Sequence, residues 1–363
     1  MCSAPSAISP PTSRDAVRAP RVRAAVRPAA LLTLVCAGAI FGAVPSAALR
    51  VDVLKSVGAI PPQIVGEFEE PVAYQQASSG QFFVFDRRAH TVYGVDQKRT
   101  AAWKLIQIGQ ETGRVIEPGA FDLAPNGTFA IADAPRGVER VQIFGPGGNV
   151  LGGFMLPGRA ETRVRLGSLV LNGVGTLQYT GTSFLIGHPE SGTLFTEYSP
   201  SGGAIRGIGR LRPTGFEEDR DLHLAMNTGI PLVDPTGGFY FVFLSGTPVF
   251  RKYDAKGDLV YERHIEGREL DEYIRALPTK WPRRKVQDRE VPFVLPNVRA
   301  AAADAKGRLW VSLALPYTYV YDTHGDKMRT VQFQAAGLIS PTSLFFAPGG
   351  RLLVTPGCYE FQP

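Results

Sequence analysis

The stretch Phe121 to Phe154, FDLAPNGTFAIADAPRGVERVQIFGPGGNVLGGF, constrains this chain more than any other. It divides into four short apolar pieces, FDLA, TFAIAD, RVQIF and NVLGGF. Pro125-Asn126-Gly127 separates the first two, and Gly145-Pro146-Gly147-Gly148 the last two. Gly and Asn accept the positive φ that tight hairpins require, so the pieces read as strands of an antiparallel meander. The middle connection, Ala134 to Glu139, is looser. A lone unit of this kind cannot bury both faces, so it must stack on copies of itself.

Copies are present. One precedes it: VAYQQ, the turn Ser78-Ser79-Gly80, QFFVFD, TVYGVD and WKLIQIG. Three follow, from TLQY to AIRGIG, from IPLVD to DLVYERHI and from RAAAAD to DKMRTVQF. A last copy, PTSLFFA, RLLVTP and CYEF, stops one strand short. The marker glycines Gly80, Gly127, Gly181, Gly237, Gly307 and Gly349 stand roughly 42 to 70 residues apart. The expected fold is therefore all-β: a six-bladed β-propeller of four-stranded antiparallel blades over residues 49–363. The orphan segment Val51 to Val57 is expected to close the last blade, joining the two ends of the chain. Insertions are expected at 211–230 and 266–298, and helical periodicity only around Glu266 to Ala276.

The first two copies run turn-Gly, apolar strand ending in Asp, short loop, second apolar strand. Phe83-Val84-Phe85-Asp86 with His90 and Val92 to Asp96 has this form, as do Phe129 to Asp133 with Val141-Gln142-Ile143-Phe144, and Tyr319 to Asp322. The pattern resembles the NHL-repeat family of six-bladed propellers, in the TolB-like and lactonase-like propeller superfamily. The resemblance covers most of residues 68–363, and its motifs specify architecture rather than chemistry.

The first 48 residues are of another kind. Arg14, Arg18, Arg21, Arg23 and Arg27 face a single acid, Asp15, before an apolar run from Ala29 to Val44 that ends in Pro45-Ser46-Ala47-Ala48. A basic region, an apolar region and small residues describe a secretory signal, with cleavage expected after Ala48. The same segment, if uncleaved, is long enough to anchor the chain in a membrane. Either way the folded part is expected outside the cytoplasm, periplasmic or secreted. The formal charge of +6 falls to +2 for residues 49–363, so the basic balance belongs to the export segment and gives no ground for nucleic-acid binding. Cys2 and Cys36 lie in that segment, and Leu34-Val35-Cys36 lacks the small residue that precedes a lipidated Cys. Cys358 alone remains, which leaves no internal disulfide and no thiolate metal site.

In a propeller the loops between the second and third strands share a face with the links between blades. That face is expected to carry Arg87, Arg88, Arg136, His188 and Tyr317 together with both insertions, including Trp281, Arg283 and Arg284. Loops elaborated on a rigid scaffold are where binding usually sits. The run Lys280 to Lys285 reads either as a grip on an acidic partner or as a solvated cap with Trp281 folded over the ring. The acids Glu217 to Asp221 read as a solvated charged loop, since calcium-loop spacing is missing. His90 reads as a turn residue and Cys358 as a small buried apolar one.

Nucleophile, paired-histidine zinc and phosphate-loop spacings are missing. Two functions remain. One is a monomeric exported propeller that binds a protein, peptide or glycan, with no cofactor. The other follows from the resemblance to lactonase-like and lyase propellers, which implies a divalent cation such as calcium at the ring axis. Asp122, Asn172, Asn227, Asp234 and Asn297 lie on or near innermost strands and are the candidate oxygen ligands for it.

Overall fold

Turn chemistry sets the strand boundaries. Asp234, Asp254, Asp304 and Asp322 each open a turn, accepting hydrogen bonds from the amides of Thr236, Lys256, Lys306 and His324 at 2.8–2.9 Å. The following glycine takes the left-handed conformation, with φ of +86° at Gly127 and +75° at Gly307. At Gly307 the approach is also close, for a Cβ there would stand 2.7 Å from Asp234 Oδ1 of the neighbouring sheet.

The computed structural model describes residues 51–157, 162–166, 169–172, 174–286 and 288–363, with the backbone alone for 162–166 and 169–172. Residues 1–48, where an export segment is expected, lie outside the described residues. Four-stranded antiparallel meanders run through 71–104, 120–155, 177–210 and 229–264, each with its strands in sequence order. A fifth meander spans 298–334. Its outer strand, Lys327–Gln334, pairs in parallel with the first half of β1 (Val51–Ala59), Val51 opposite Thr330 and Lys55 opposite Gln334. After a register shift at Ser56/Gly58, β1 pairs antiparallel with Tyr359–Phe361, the last strand of the meander 343–361. The chain is thus all-β, with blade-like antiparallel sheets in a propeller arrangement.

The second strand of each meander is apolar along nearly its whole length because neighbouring sheets cover both faces. Phe82–Asp86, Phe129–Asp133, Phe239–Phe243 and Leu309–Leu313 are buried at every position. Rings meet between sheets, with centroids 5.6 Å apart for Phe83 and Phe129, 5.7 Å for Phe195 and Phe241 and 5.6 Å for Trp310 and Phe346. The strand-end aspartate has a mechanical role. Asp86 accepts the amides of Glu69, Glu70 and Ala89 at 2.6–3.0 Å, so it fixes both the incoming link and its own loop.

Two local expectations are corrected. The acidic segment read as a solvated loop contains a helix, α1 (Arg220–Met226), capped by Asp219 Oδ1 on Leu222 N at 3.2 Å. Its Leu222, Ala225 and Met226 are buried; seven residues are too few to show a helical period. The insertion also ends sooner than residue 230, because Gly229–Val233 is an innermost strand. The second helix, α2 (Arg268–Arg275), lies where the periodicity placed it.

The first and last meanders meet at Glu360. This buried carboxylate on the last meander accepts Tyr74 Oη at 3.1 Å and Arg351 Nη1 at 2.5 Å, and pairs with Arg99 of the first meander. Removing the carboxylate leaves the Arg99 and Arg351 guanidiniums without their counter-charge. Glu360→Gln is expected to cost about 3 kcal/mol. Urea melts monitored by near-ultraviolet circular dichroism check this, with one cooperative transition shifted to lower denaturant.

Candidate functional site

Each innermost strand pairs on one side only, which turns its free backbone edge to the axis. Pro71–Gln76, Ala120–Leu123, Leu177–Tyr179, Gly229–Val233, Val298–Ala303 and Ser343–Phe346 line a cavity of about 1640 Å³ there. Side chains of one strand satisfy the free groups of the next. Gln75 Nε2 donates to Asp122 Oδ1 at 2.9 Å, and Asp122 Oδ2 accepts from Tyr179 N at 2.8 Å. Gln178 Oε1 accepts from Val233 N, and Thr176 Oγ1 donates to Gly229 O at 2.7 Å. Between these groups the wall is apolar, with Val72, Phe121, Leu177, Ile230, Leu232 and Leu344.

Asp122 is the most unusual group in this wall. Burial pushes its carboxyl up to about 6, against the opposing pull of the hydrogen bonds from Tyr179 and Gln75. Gln75 is buried, and its Oε1 has no hydrogen-bond partner among the described residues. Its side chain lines the cavity, and this oxygen is a buried acceptor left unsatisfied. Neither Gln75 nor Gln178 was singled out from the sequence. The available signal was an amide in the middle of an otherwise apolar innermost strand.

The loop-bearing face is roofed. Thr162–Leu166 and Leu169–Asn172, from the link after the second meander, join Arg289–Val294 and Arg283–Val286 in a four-stranded sheet. Arg165 stands opposite Phe293 in the parallel pair that links them, and α1 lies against both central strands. Arg283 Nη2 donates to Asp219 Oδ2 at 2.5 Å, and Arg289 reaches Asp221 at 3.2 Å. Tyr273, Leu295 and Pro296 carry this roof to the end of the cavity.

The residues expected on this face are mostly held by their own chain. Arg87 pairs with Glu70, and Arg88 stands 3.6 Å from Glu69 with its side chain exposed. Arg136 Nε donates to Gln110 Oε1 at 2.9 Å. The Arg284 guanidinium lies 5.7 Å from the Phe293 ring centroid. Trp281 and Tyr317 pack, half-buried, on the core that contains Leu222 and Leu313. His188, where the first two copies carry the strand-end Asp, is buried with Nε2 3.4 Å from Glu139 and 3.7 Å from Glu190.

The candidate oxygen ligands are dispersed. Asp122 lines the cavity, whereas Asp234 sits in a turn paired with Lys252. Asn227 is buried at the end of α1, accepting Arg212 N at 2.8 Å and donating to His223 O at 3.0 Å. Asn297 donates to Gly246 O, and the side chain of Asn172 lies outside the described residues. Among the described residues no three His, Cys, Asp or Glu side chains gather as a metal would need.

No protein-family model matches the sequence, and no curated protein matches it. Solved structures do. A streptogramin B lyase aligns with a TM-score of 0.51 at 10% identity, over 84% of this chain and 95% of its own. A regucalcin from Agrobacterium tumefaciens, titled a calcium-binding protein, gives 0.48 at 13% identity over 86% and 95%. The WD40 propeller domain of Doa1 gives 0.43 at 9% over 80% and 96%. The shared feature is the β-propeller fold. At these identities it extends to no chemistry.

The position of Asp122 makes stability depend on pH in a definite sense. The fold keeps a proton that the unfolded chain releases near 3.8, so this contribution is full below about pH 4, is lost as pH rises to about 6, and stays lost above. Asp122→Asn is expected to remove that component, on the order of 2 kcal/mol. Melting temperatures of wild type and variant from pH 4 to 8 check it: their difference should change in favour of the variant by a few degrees between about pH 4 and 6 and then level off.

Proposed function

We propose that this protein is an exported, NHL-like six-bladed propeller that binds a peptide or glycan in its axial channel, and that it does so without catalysing a reaction. The blade count is supported by the order of the innermost strands, each lying against the next and Ser343–Phe346 against Pro71–Gln76. β1 then serves as the fourth strand of the last blade, beside Tyr359–Phe361. Export to the periplasm or beyond is supported by the arginine-rich and apolar pattern of residues 1–48.

The observation that carries the binding reading is the channel itself. A cavity of about 1640 Å³ with a largely apolar wall, the polar groups Gln75, Asp122 and Gln178 and charged lining residues such as Glu70, Arg299 and Lys306 has the composition of a site for an organic ligand. The roofed face contributes less, because most of its cations already have partners in the chain. The likeness to a streptogramin B lyase supports the scaffold alone, and the divalent-cation reading has only Asp122 in the channel among its described candidates.

Native mass spectrometry of the full chain with libraries of short peptides and oligosaccharides tests the proposal. Wild type is expected to retain members of one library, and Ser343→Trp, which fills the channel wall, is expected to lose them. Equal retention by a folded Ser343→Trp would place binding elsewhere. A parallel melt in excess EDTA against added calcium, zinc or magnesium is expected to show no shift. A rise of several degrees with one ion would instead favour a metal-dependent enzyme.

A further inference from the structure

We propose that the axial channel recognises a protonated amine, held between Gln75 Oε1 and the Asp122 carboxylate with the apolar body of the ligand along the channel wall. This rests on the channel being the binding site. Three observations point to a cationic donor. First, Asp122 has no basic partner: its two oxygens accept only Gln75 Nε2 and backbone amides. A carboxylate desolvated without a counter-charge is stabilised by whatever cation can reach it, and the cavity leads to it. Second, Gln75 is 92% buried, lines the same cavity, and leaves Oε1 without a partner. That oxygen accepts and cannot donate, so it selects an N–H or O–H group. Third, the wall next to Asp122 is Phe121, Leu177 and Leu232, which suits an alkyl or ring portion, while the charged lining residues Glu70, Arg87, Arg299, Lys306 and Arg308 lie on other segments of the cavity wall.

The surroundings of Asp122 leave little else to tune its charge. Pro71–Gln76, on one side, carries no charged residue, and Leu177–Tyr179, on the other, carries only the tyrosine phenol. Phe129–Asp133, paired behind it, ends in Asp133, whose charge is matched by Arg140. The entering ammonium therefore supplies the missing counter-charge. Below about pH 6 Asp122 ionises as the amine binds, and its proton leaves to solvent. Binding should tighten as pH rises through the range in which Asp122 would otherwise keep that proton, while the amine itself stays protonated.

Calorimetric titration of the full chain with hexylamine, 1-hexanol and hexanoate tests this. Hexylamine is expected to bind at least about tenfold more tightly than 1-hexanol at pH 7.5, and about tenfold more weakly at pH 5 than at pH 7.5. At pH 5 its binding heat should vary with the ionisation heat of the buffer, reporting close to one proton released. Asp122→Asn should abolish the preference for hexylamine over 1-hexanol and the proton release. Gln75→Met should weaken hexylamine selectively, and it decides the matter together with the wild-type pH dependence if Asp122→Asn does not fold. Equal affinity for hexylamine and 1-hexanol, or a preference for hexanoate, overturns the amine proposal and leaves the channel as a site. Binding of none of the three overturns the channel reading as well.

Discussion

Burial of each sheet against its neighbours is the interaction on which the rest of this structure depends. A strand such as Phe239–Phe243, buried at every position, has no stable existence outside that stack. Stability is therefore shared around the arrangement, and the vulnerable place is where the chain ends must find each other. β1 meets this by pairing in parallel with one outer strand and antiparallel with the next, so that a single segment bridges both. Glu360, Arg99, Arg351 and Tyr74 then add a buried polar cluster at the contact between first and last meanders. The polar groups specify which sheets meet, while the aromatic contacts supply most of the favourable burial.

Stacking sheets in this way leaves a second problem at the axis, where every innermost strand exposes one backbone edge. The structure answers it with side chains that reach from one strand to the next, Gln75 to Asp122, Asp122 to Tyr179, and Gln178 to Val233. Such groups must be polar in an otherwise apolar wall, so the demand for backbone satisfaction creates a chemically differentiated channel. A carboxyl placed there is short of water and of counter-charge. The fold raises its proton affinity as a direct consequence.

The roof over one end was assembled from parts distant in sequence. Strands from the link after the second meander pair with strands from the link before the fifth, and α1 from a third link braces them. Arg283, a member of the cationic run Lys280 to Lys285, pairs with Asp219, which caps that helix, and Arg289 pairs with Asp221 in its first turn. Two segments of opposite charge, distant along the chain, are thus joined by ion pairs once folded.

What the sequence determined by itself is what local rules control. Turn glycines, aspartates that cap turn amides and apolar strands of fixed length placed the meanders, the incomplete last copy and the strand that supplements it, because hairpin chemistry acts over a few residues. The helix at Arg268–Arg275 was legible for the same reason, through its amphipathic period. Only the tertiary structure decided which charges are matched, which candidate ligands converge and which do not, and that Gln75 and Asp122 face a common cavity. Those properties depend on residues about fifty positions apart or more being brought within hydrogen-bond reach. Spacing along the chain carries no record of such distances, because they are set by how whole sheets pack.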